Sequence, residues 1–261
     1  MGTIENGHDI PLPLSAQRRR NLPARAAFFW LGAGWRDLGN TPLPSFIYGF
    51  AVFLVSLSIV WGLFRFELDY ILFPALAGFM VVGPVLAIGL YQKSRDLETG
   101  HPVNLSRMIF VKAASGAQVW YTGAILCLLM LVWMRAAVII YALFFGLRPF
   151  PGFNDVLAML ISTPVGWAML LVGTVAGGLF AAFSFAISTF AIPMLLDERV
   201  DAFTAMGTSI SLVWNNLPVM IAWGAIVLGL FLLSLATGLF GLIVVFPLLG
   251  HATWHSYRAI R

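Results

Sequence analysis

Residues 119–145 read VWYTGAILCLLMLVWMRAAVIIYALFF, a run with one charged side chain, Arg135, and no proline. The hydrocarbon core of a bilayer is about 30 Å thick, and a helix needs about 20 apolar residues to cross it. This run exceeds that length, and uncharged stretches recur at about 46–64, 71–91, 165–196 and 217–257. Inside hydrocarbon every backbone N–H and C=O must find its partner within the segment, so runs of this length are helices. Barrel strands would be about ten residues long with alternating polarity, and these runs do not alternate. The sequence predicts an all-α, polytopic transmembrane bundle.

Composition agrees. The 261 residues are 60% hydrophobic and 10% charged, with a mean hydropathy of +0.91. A water-soluble domain built this way would expose large apolar patches. The net charge of +4 would suit a nucleic-acid binder, but the basic residues sit beside the ends of apolar runs, where anionic headgroups attract them. The partner implied is the lipid bilayer, and no nucleic acid. The single cysteine, Cys127, cannot form an intrachain disulfide, and burial in its apolar run would keep it inert. The first long apolar run begins only after about 45 residues and lacks a small-residue cleavage site, so no secretory signal is read.

The last stretch is long enough for two crossings, divided at Thr237-Gly238 with Gly241 nearby, where a tight turn reverses the chain. Six spans result, at about 46–64, 70–91, 119–146, 165–195, 217–236 and 238–256. Twelve of the fifteen basic residues then share one side: Arg18, Arg19, Arg20, Arg25 and Arg36 before the first span; Lys93, Arg95, Arg107 and Lys112 between spans two and three; Arg199 between four and five; Arg258 and Arg261 at the end. Arg65 and Arg148 face the other way. By the positive-inside rule both termini are cytoplasmic.

Residues 1–26 read as a flexible basic arm and 258–261 as a short cytoplasmic tail, flanking a membrane domain over 27–257. Residues 26–38 interleave Phe28, Phe29, Trp30 and Trp35 with Gly32, Gly34, Arg36 and Asp37, the pattern of a short helix lying in the interface. Residues 152–162 suggest the same at the opposite face. A faint repeat joins the spans. The odd ones open with an aromatic-then-glycine step (Tyr48-Gly49, Tyr121-Thr122-Gly123, Trp223-Gly224), and the even ones carry Pro84, Pro193 and Pro247. This suggests three repeated helical hairpins.

Few residues carry chemistry. Arg135 is the only charge deep in a span, where it would cost at least about 2.5 kcal/mol at the bilayer centre. One reading is an anion or ion-pair site. The other is positional: eighteen residues at 1.5 Å rise place it roughly 27 Å from the inner face, near the far boundary, where it can snorkel or pair with Glu67, Asp69 or Asp155. His251 and His255 are four apart on one helical face beside Trp254 and Tyr257. That spacing can hold a metal or haem, and it equally describes an interfacial belt; no third ligand is evident. Asp96, Glu98 and His101, with Asp197, Glu198 and Asp201, could gather into a metal or acid–base cluster between loops, or stay solvated. Gly83-Pro84 in span two is either a substrate-binding helix break or a kink. Gly173, Gly177 and Ala181 follow small-xxx-small spacing for close helix packing, which makes span four the candidate central helix. No span holds an acidic residue, which weighs against proton-coupled pumps. There is no Gly-x-Ser-x-Gly, Walker loop, His-Glu-x-x-His or CxxC, so no catalytic residue, cofactor or metal site is assigned.

The stretch from Ile192-Pro193-Met194-Leu195-Leu196-Asp197-Glu198-Arg199 through Val200-Asp201, Ala205, Ser209 and Trp214-Asn215-Asn216 forms a pattern with Gly34-Trp35-Arg36-Asp37-Leu38, Pro44-Ser45, Tyr48-Gly49, Gly83-Pro84 and Gly89-Leu90-Tyr91. Together these motifs resemble the bacterial family called domain of unknown function 2189, whose members are six-helix inner-membrane proteins. The resemblance covers about residues 27–257 and implies a multi-pass protein of the bacterial inner membrane. Some members carry the label cytochrome c oxidase subunit I, so respiratory oxidase components enter as implied partners. A haem–copper core needs histidines from several helices, whereas this chain has four histidines, at most two of them in a span. The label does not fit in its catalytic sense.

The first functional expectation is a non-catalytic scaffold or accessory factor for other membrane proteins. The alternative is a small-solute or lipid transporter or handling protein, and the third an accessory subunit of a respiratory oxidase. A cavity lined by Gly83, Ser184, Ser188 and Arg135 would favour the alternative over the first.

Overall fold

The computed structural model describes residues 20–146 and 152–261. Arg18, Arg19 and Arg148, which enter the charge asymmetry, lie outside them. Helix α1 (Ala26–Gly39) precedes α2 (Pro42–Arg65), and a short 3-10 turn (Asp69–Ile71) leads into α3 (Leu72–Leu86) and α4 (Ile88–Glu98). Then come α5 (Leu105–Ile109), α6 (Gln118–Phe145), α7 (Phe153–Ser162), α8 (Pro164–Ser188), α9 (Ala191–Asp197) and α10 (Ala202–Asn215). The closing hairpin is α11 (Leu217–Ala236) and α12 (Leu242–Ile260). Among the described residues no strand occurs.

Among the described residues, five helical stretches have the length and apolarity to cross a membrane: Pro42–Arg65, Asp69–Glu98, Gln118–Phe145, Pro164–Asp197 and Leu217–Ala236. They coincide with the first five spans read from the sequence. The sixth, α12, follows the turn at Thr237-Gly238, where Gly238 has φ +62° and the Thr237 hydroxyl accepts a hydrogen bond from Gly241 N–H at 2.9 Å. Its second half carries His251, His255 and Arg258 and is too polar to face lipid. It does not have to, because it packs against α1, α2, α4, α9 and α11, and residues from Leu242 to Ile260 are buried on most sides.

Helix α12, and not span four, is therefore the centre of the bundle. Small residues let helices approach, but they do not compel it. Most of α8 faces outward, whereas the polar side chains of α12 have to be enclosed by protein. The enclosure uses glycines of the surrounding helices. A Cβ on Gly34 of α1 would stand 2.6 Å from Ala252 N, and one on Gly49 of α2 would overlap the Ile243 carbonyl oxygen.

Both long even spans break near the basic end. Helix α3 contains Gly83-Pro84 and stops at Leu86, whose carbonyl accepts a hydrogen bond from Tyr48 Oη at 2.6 Å. Helix α8 stops at Ser188, and the Ser209 hydroxyl repairs the break, accepting from Phe190 N–H at 3.2 Å and donating to the Ala186 carbonyl at 2.6 Å. A proline thus ends the first helix, and side chains of other helices pair the freed backbone groups.

Short helices stand over both segments that the sequence marks as interfacial. Helix α1 buries Ala26, Ala27, Trp30, Gly34 and Leu38 and exposes Phe28, Phe29 and Trp35. Helix α7 packs on α8 at the opposite end. A further short helix, α10, fills the segment between spans four and five. It is capped by Asp201, whose carboxylate accepts from Thr204 N–H at 2.9 Å. The basic arm is docked from Arg20 onward: Arg20 N–H donates to Asn216 Oδ1 at 3.0 Å and its Nε to the Ile260 carbonyl at 3.1 Å. Nor is the tail loose, because α12 runs to Ile260, which is buried. Cys127, expected to be buried, is exposed on the outer face of α6.

Candidate functional site

At the basic end, α1, α2, α4 and α12 close around a set of buried polar side chains. His251 is fully buried. Its Nε2 lies 2.9 Å from Ser45 Oγ of α2, and its Nδ1 lies 2.8 Å from Ser94 Oγ of α4. Ser45 Oγ also accepts from Lys93 Nζ at 2.8 Å, and the Thr41 carbonyl takes a second Lys93 proton at 2.9 Å. Beside Ser94 lies Asp37 of α1, which pairs with His255 Nε2 at 2.8 Å.

One placement of protons gives each hydroxyl and ring donor in this chain an acceptor, along with two of the three Lys93 protons. Lys93 donates to Ser45, Ser45 to His251 Nε2, His251 Nδ1–H to Ser94, and Ser94 to the Asp37 carboxylate. The result is a one-way relay from a buried ammonium to a carboxylate. Its physical logic is plain, since an unpaired polar group here would cost its full desolvation penalty. Burial raises the Asp37 carboxyl, but the hydrogen bonds from His255 and Ser94 outweigh it and hold the pKa below the usual 3.8. The belt reading of the histidine pair does not describe His251, whose two ring nitrogens are both engaged in the interior. His255 is half-buried at the edge.

A second cluster lies just outside. Glu98 accepts from Trp254 Nε1 at 3.0 Å and from Arg258 Nε at 3.0 Å. Asp197 pairs with Arg258 at 3.4 Å and Arg95 at 3.5 Å. Glu198 accepts from Tyr257 Oη at 2.7 Å and forms a two-pronged ion pair with Arg261. Burial raises the Glu198 carboxyl, but these partners prevail and hold its pKa below the usual 4.5. Glu98, Asp197 and Glu198 thus each meet an arginine. Asp201 caps α10, and His101 pairs with Thr99 at 2.7 Å. Among the described residues no three potential ligands stand close enough to hold a metal ion.

Away from the basic end the bundle loosens. A cavity of about 600 Å³ lies between α3, α6 and α8 under α7, with walls that include Phe73, Trp133, Tyr141, Leu160 and Gly173. Its lining is almost wholly apolar. A smaller cavity of about 170 Å³ between α3, α8, α11 and α12 is lined by Gly83, Pro84, Ala181, Ser184 and Ser188. Arg135 joins neither. It is exposed on α6 and forms no ion pair among the described residues. Of the small residues of span four, a Cβ on Gly177 would stand 2.9 Å from Trp133 Cη2, while one on Gly173 would meet nothing within 4 Å.

Set in this bundle, the motifs around the two helix breaks gain a relative. Residues 72–197 match the model of the family described as "Predicted integral membrane protein (DUF2189)". The match runs from the start of α3 to the end of α9, taking in both broken helices and α6 between them. The likeness to DUF2189 is thus shown over these residues, which hold Gly83-Pro84, Gly89-Leu90-Tyr91 and the start of the 192–201 motif, while the motifs before Leu72 and after Asp197 lie outside the match. With it goes a multi-pass integral membrane protein. No curated protein and no solved structure matches the chain.

Proposed function

We propose that this protein handles a lipophilic molecule taken from the bilayer, with its basic end and both termini on the cytoplasmic side of a bacterial inner membrane. The supporting observation is the cavity of about 600 Å³ between α3, α6 and α8, a size within the range of small-molecule sites. A scaffold has no use for such a space. Left empty, its walls would lack partner atoms and lose dispersion contacts; an acyl or isoprenoid chain supplies them. The cavity through Ser184, Ser188 and Gly83 also supports this reading, although Arg135 is not part of it. Helix α7 covers the larger space and is joined to α8 by one turn, where Thr163 Oγ1 accepts from Gly166 N–H at 3.0 Å.

Gly173 provides the test, because it lines the cavity and a Cβ there would meet no atom within 4 Å. Native mass spectrometry of the purified full chain should find a retained lipophile, and Gly173→Leu should reduce its occupancy without lowering the melting temperature. Equal occupancy in both proteins would remove the reading. The orientation is tested separately, by a reporter fused after Arg261 that is active only in the cytoplasm. Under this proposal it is active.

A further inference from the structure

The basic end carries a concavity of the opposite chemistry. A cleft of about 330 Å³ opens between α4, the turn after it and the segment around α5, lined by Gln92, Arg95, Asp96, His101, Arg107 and Lys112. Three cations and one carboxylate face it, and Asp197 pairs with Arg95 from beside the cleft, which leaves an excess of one positive charge before His101 is counted. The framework is fixed. Asp96 is buried and grips Arg107 by a fork, Nε to Oδ2 at 3.0 Å and Nη2 to Oδ1 at 2.6 Å, while Gln92 Nε2 donates to the same Oδ1 at 2.8 Å. Arg95 is held by the Leu196 carbonyl at 3.1 Å and by Asp197. Lys112 is exposed and forms no ion pair among the described residues.

We propose that this cleft binds the phosphate of an anionic lipid headgroup. Two guanidinium groups already locked in place give up little freedom on binding, and their planar donors suit phosphate oxygens. Lys112 adds a mobile charge at the mouth. The lipid source is indicated by the rim, where Ile109 and Phe110 are 59% and 75% exposed. Apolar side chains turned outward beside a basic pocket at a span end lie at headgroup depth, with room for acyl chains against them. The inference does not depend on the apolar cavity, which lies toward the opposite end of the bundle.

The experiment uses the full chain in phosphatidylcholine nanodiscs doped with phosphatidylglycerol, with lipid retained after release read by native mass spectrometry. Wild-type protein should retain phosphatidylglycerol over phosphatidylcholine. Lys112→Gln should weaken that retention about fivefold, the effect of one surface charge, Lys112→Glu should weaken it further, and Lys112→Arg should restore it. Lys112 is exposed, so these variants should melt as wild type does. A second arm titrates inorganic phosphate onto the protein in pure phosphatidylcholine. Saturable binding there, lost in Lys112→Glu, together with no preference for phosphatidylglycerol, would keep the phosphate chemistry but overturn the lipid source. Equal phosphatidylglycerol retention by wild type, Lys112→Gln and Lys112→Glu would overturn the site.

Discussion

His251 Nε2 lies 2.9 Å from Ser45 Oγ, although 206 residues separate them in the chain. The contact ties the central helix α12 to the start of α2 and sits midway along the relay from Lys93 to Asp37. Removing the imidazole leaves the Ser45 and Ser94 hydroxyls each short of one partner, at about 1–3 kcal/mol for each unmet hydrogen bond. His251→Ala should therefore lower the melting temperature in detergent markedly. His255→Ala, at the half-exposed edge, should cost less than about 1 kcal/mol. Equally small shifts for the two variants would return the pair to an interfacial belt.

Lys93 gives a sharper contrast. Its ammonium is buried against neutral oxygens, and replacing a buried charge by an apolar side chain of similar shape is often neutral or stabilising. Lys93→Met should hold or raise the melting temperature. Ser45→Ala, which keeps the charge but removes one of its two acceptors, should lower it. The reverse order would mean that the charge and not the hydrogen bonding holds this corner together.

The glycines that admit α12 should be intolerant of even one methyl group. Gly34→Ala and Gly49→Ala each press on backbone of α12, which cannot swing aside, and overpacking of this kind costs about 1–3 kcal/mol. Gly173→Ala meets no atom and should be silent. Unfolding in a graded series of denaturing detergent ranks the three. A silent Gly49→Ala would show that α2 and α12 can slide apart freely.

Much of the fold is legible in the chain because a crossing is a local property: twenty uncharged residues announce themselves wherever they stand. The turn at Thr237-Gly238 is legible in the same way, and Gly83-Pro84 as either a break or a kink; the break before Ala191 is not, because the apolar run continues through it. What cannot be read locally is which helix others surround. Residues 119–145 are apolar on every side, so no face is marked for lipid, and Cys127 points outward where burial was expected. The polar half of α12 reads as a belt until its neighbours are known. Helix α10 did leave a signal, an Asp201 cap followed by Ala202, Ala205, Met206, Ser209, Leu212 and Val213 at helical spacing, obscured because it lies between two spans. Of the polar relay, the sequence singled out the two histidines. Ser45, Ser94 and Lys93 sit at span ends, where such residues ordinarily meet headgroups.

Acid should loosen the basic end before the spans. The carboxyls of Asp37 and Glu198 are held below their ordinary values of 3.8 and 4.5, so the folded state binds protons less readily than the unfolded one. A group shifted in this direction stabilises fully above its unfolded pKa, and that contribution is lost as pH falls through the lowered folded value. Melting temperature should thus hold near neutrality and drop as the pH passes below about 4.5, the model-peptide carboxyl range. Glu198→Gln removes the ion pair with Arg261 at every pH. It should melt lower than wild type near neutrality and lose less on acidification, so that the two curves converge. Curves that stay parallel down to pH 3 would show that the Glu198–Arg261 pair contributes nothing to holding α12 against the loop after α9.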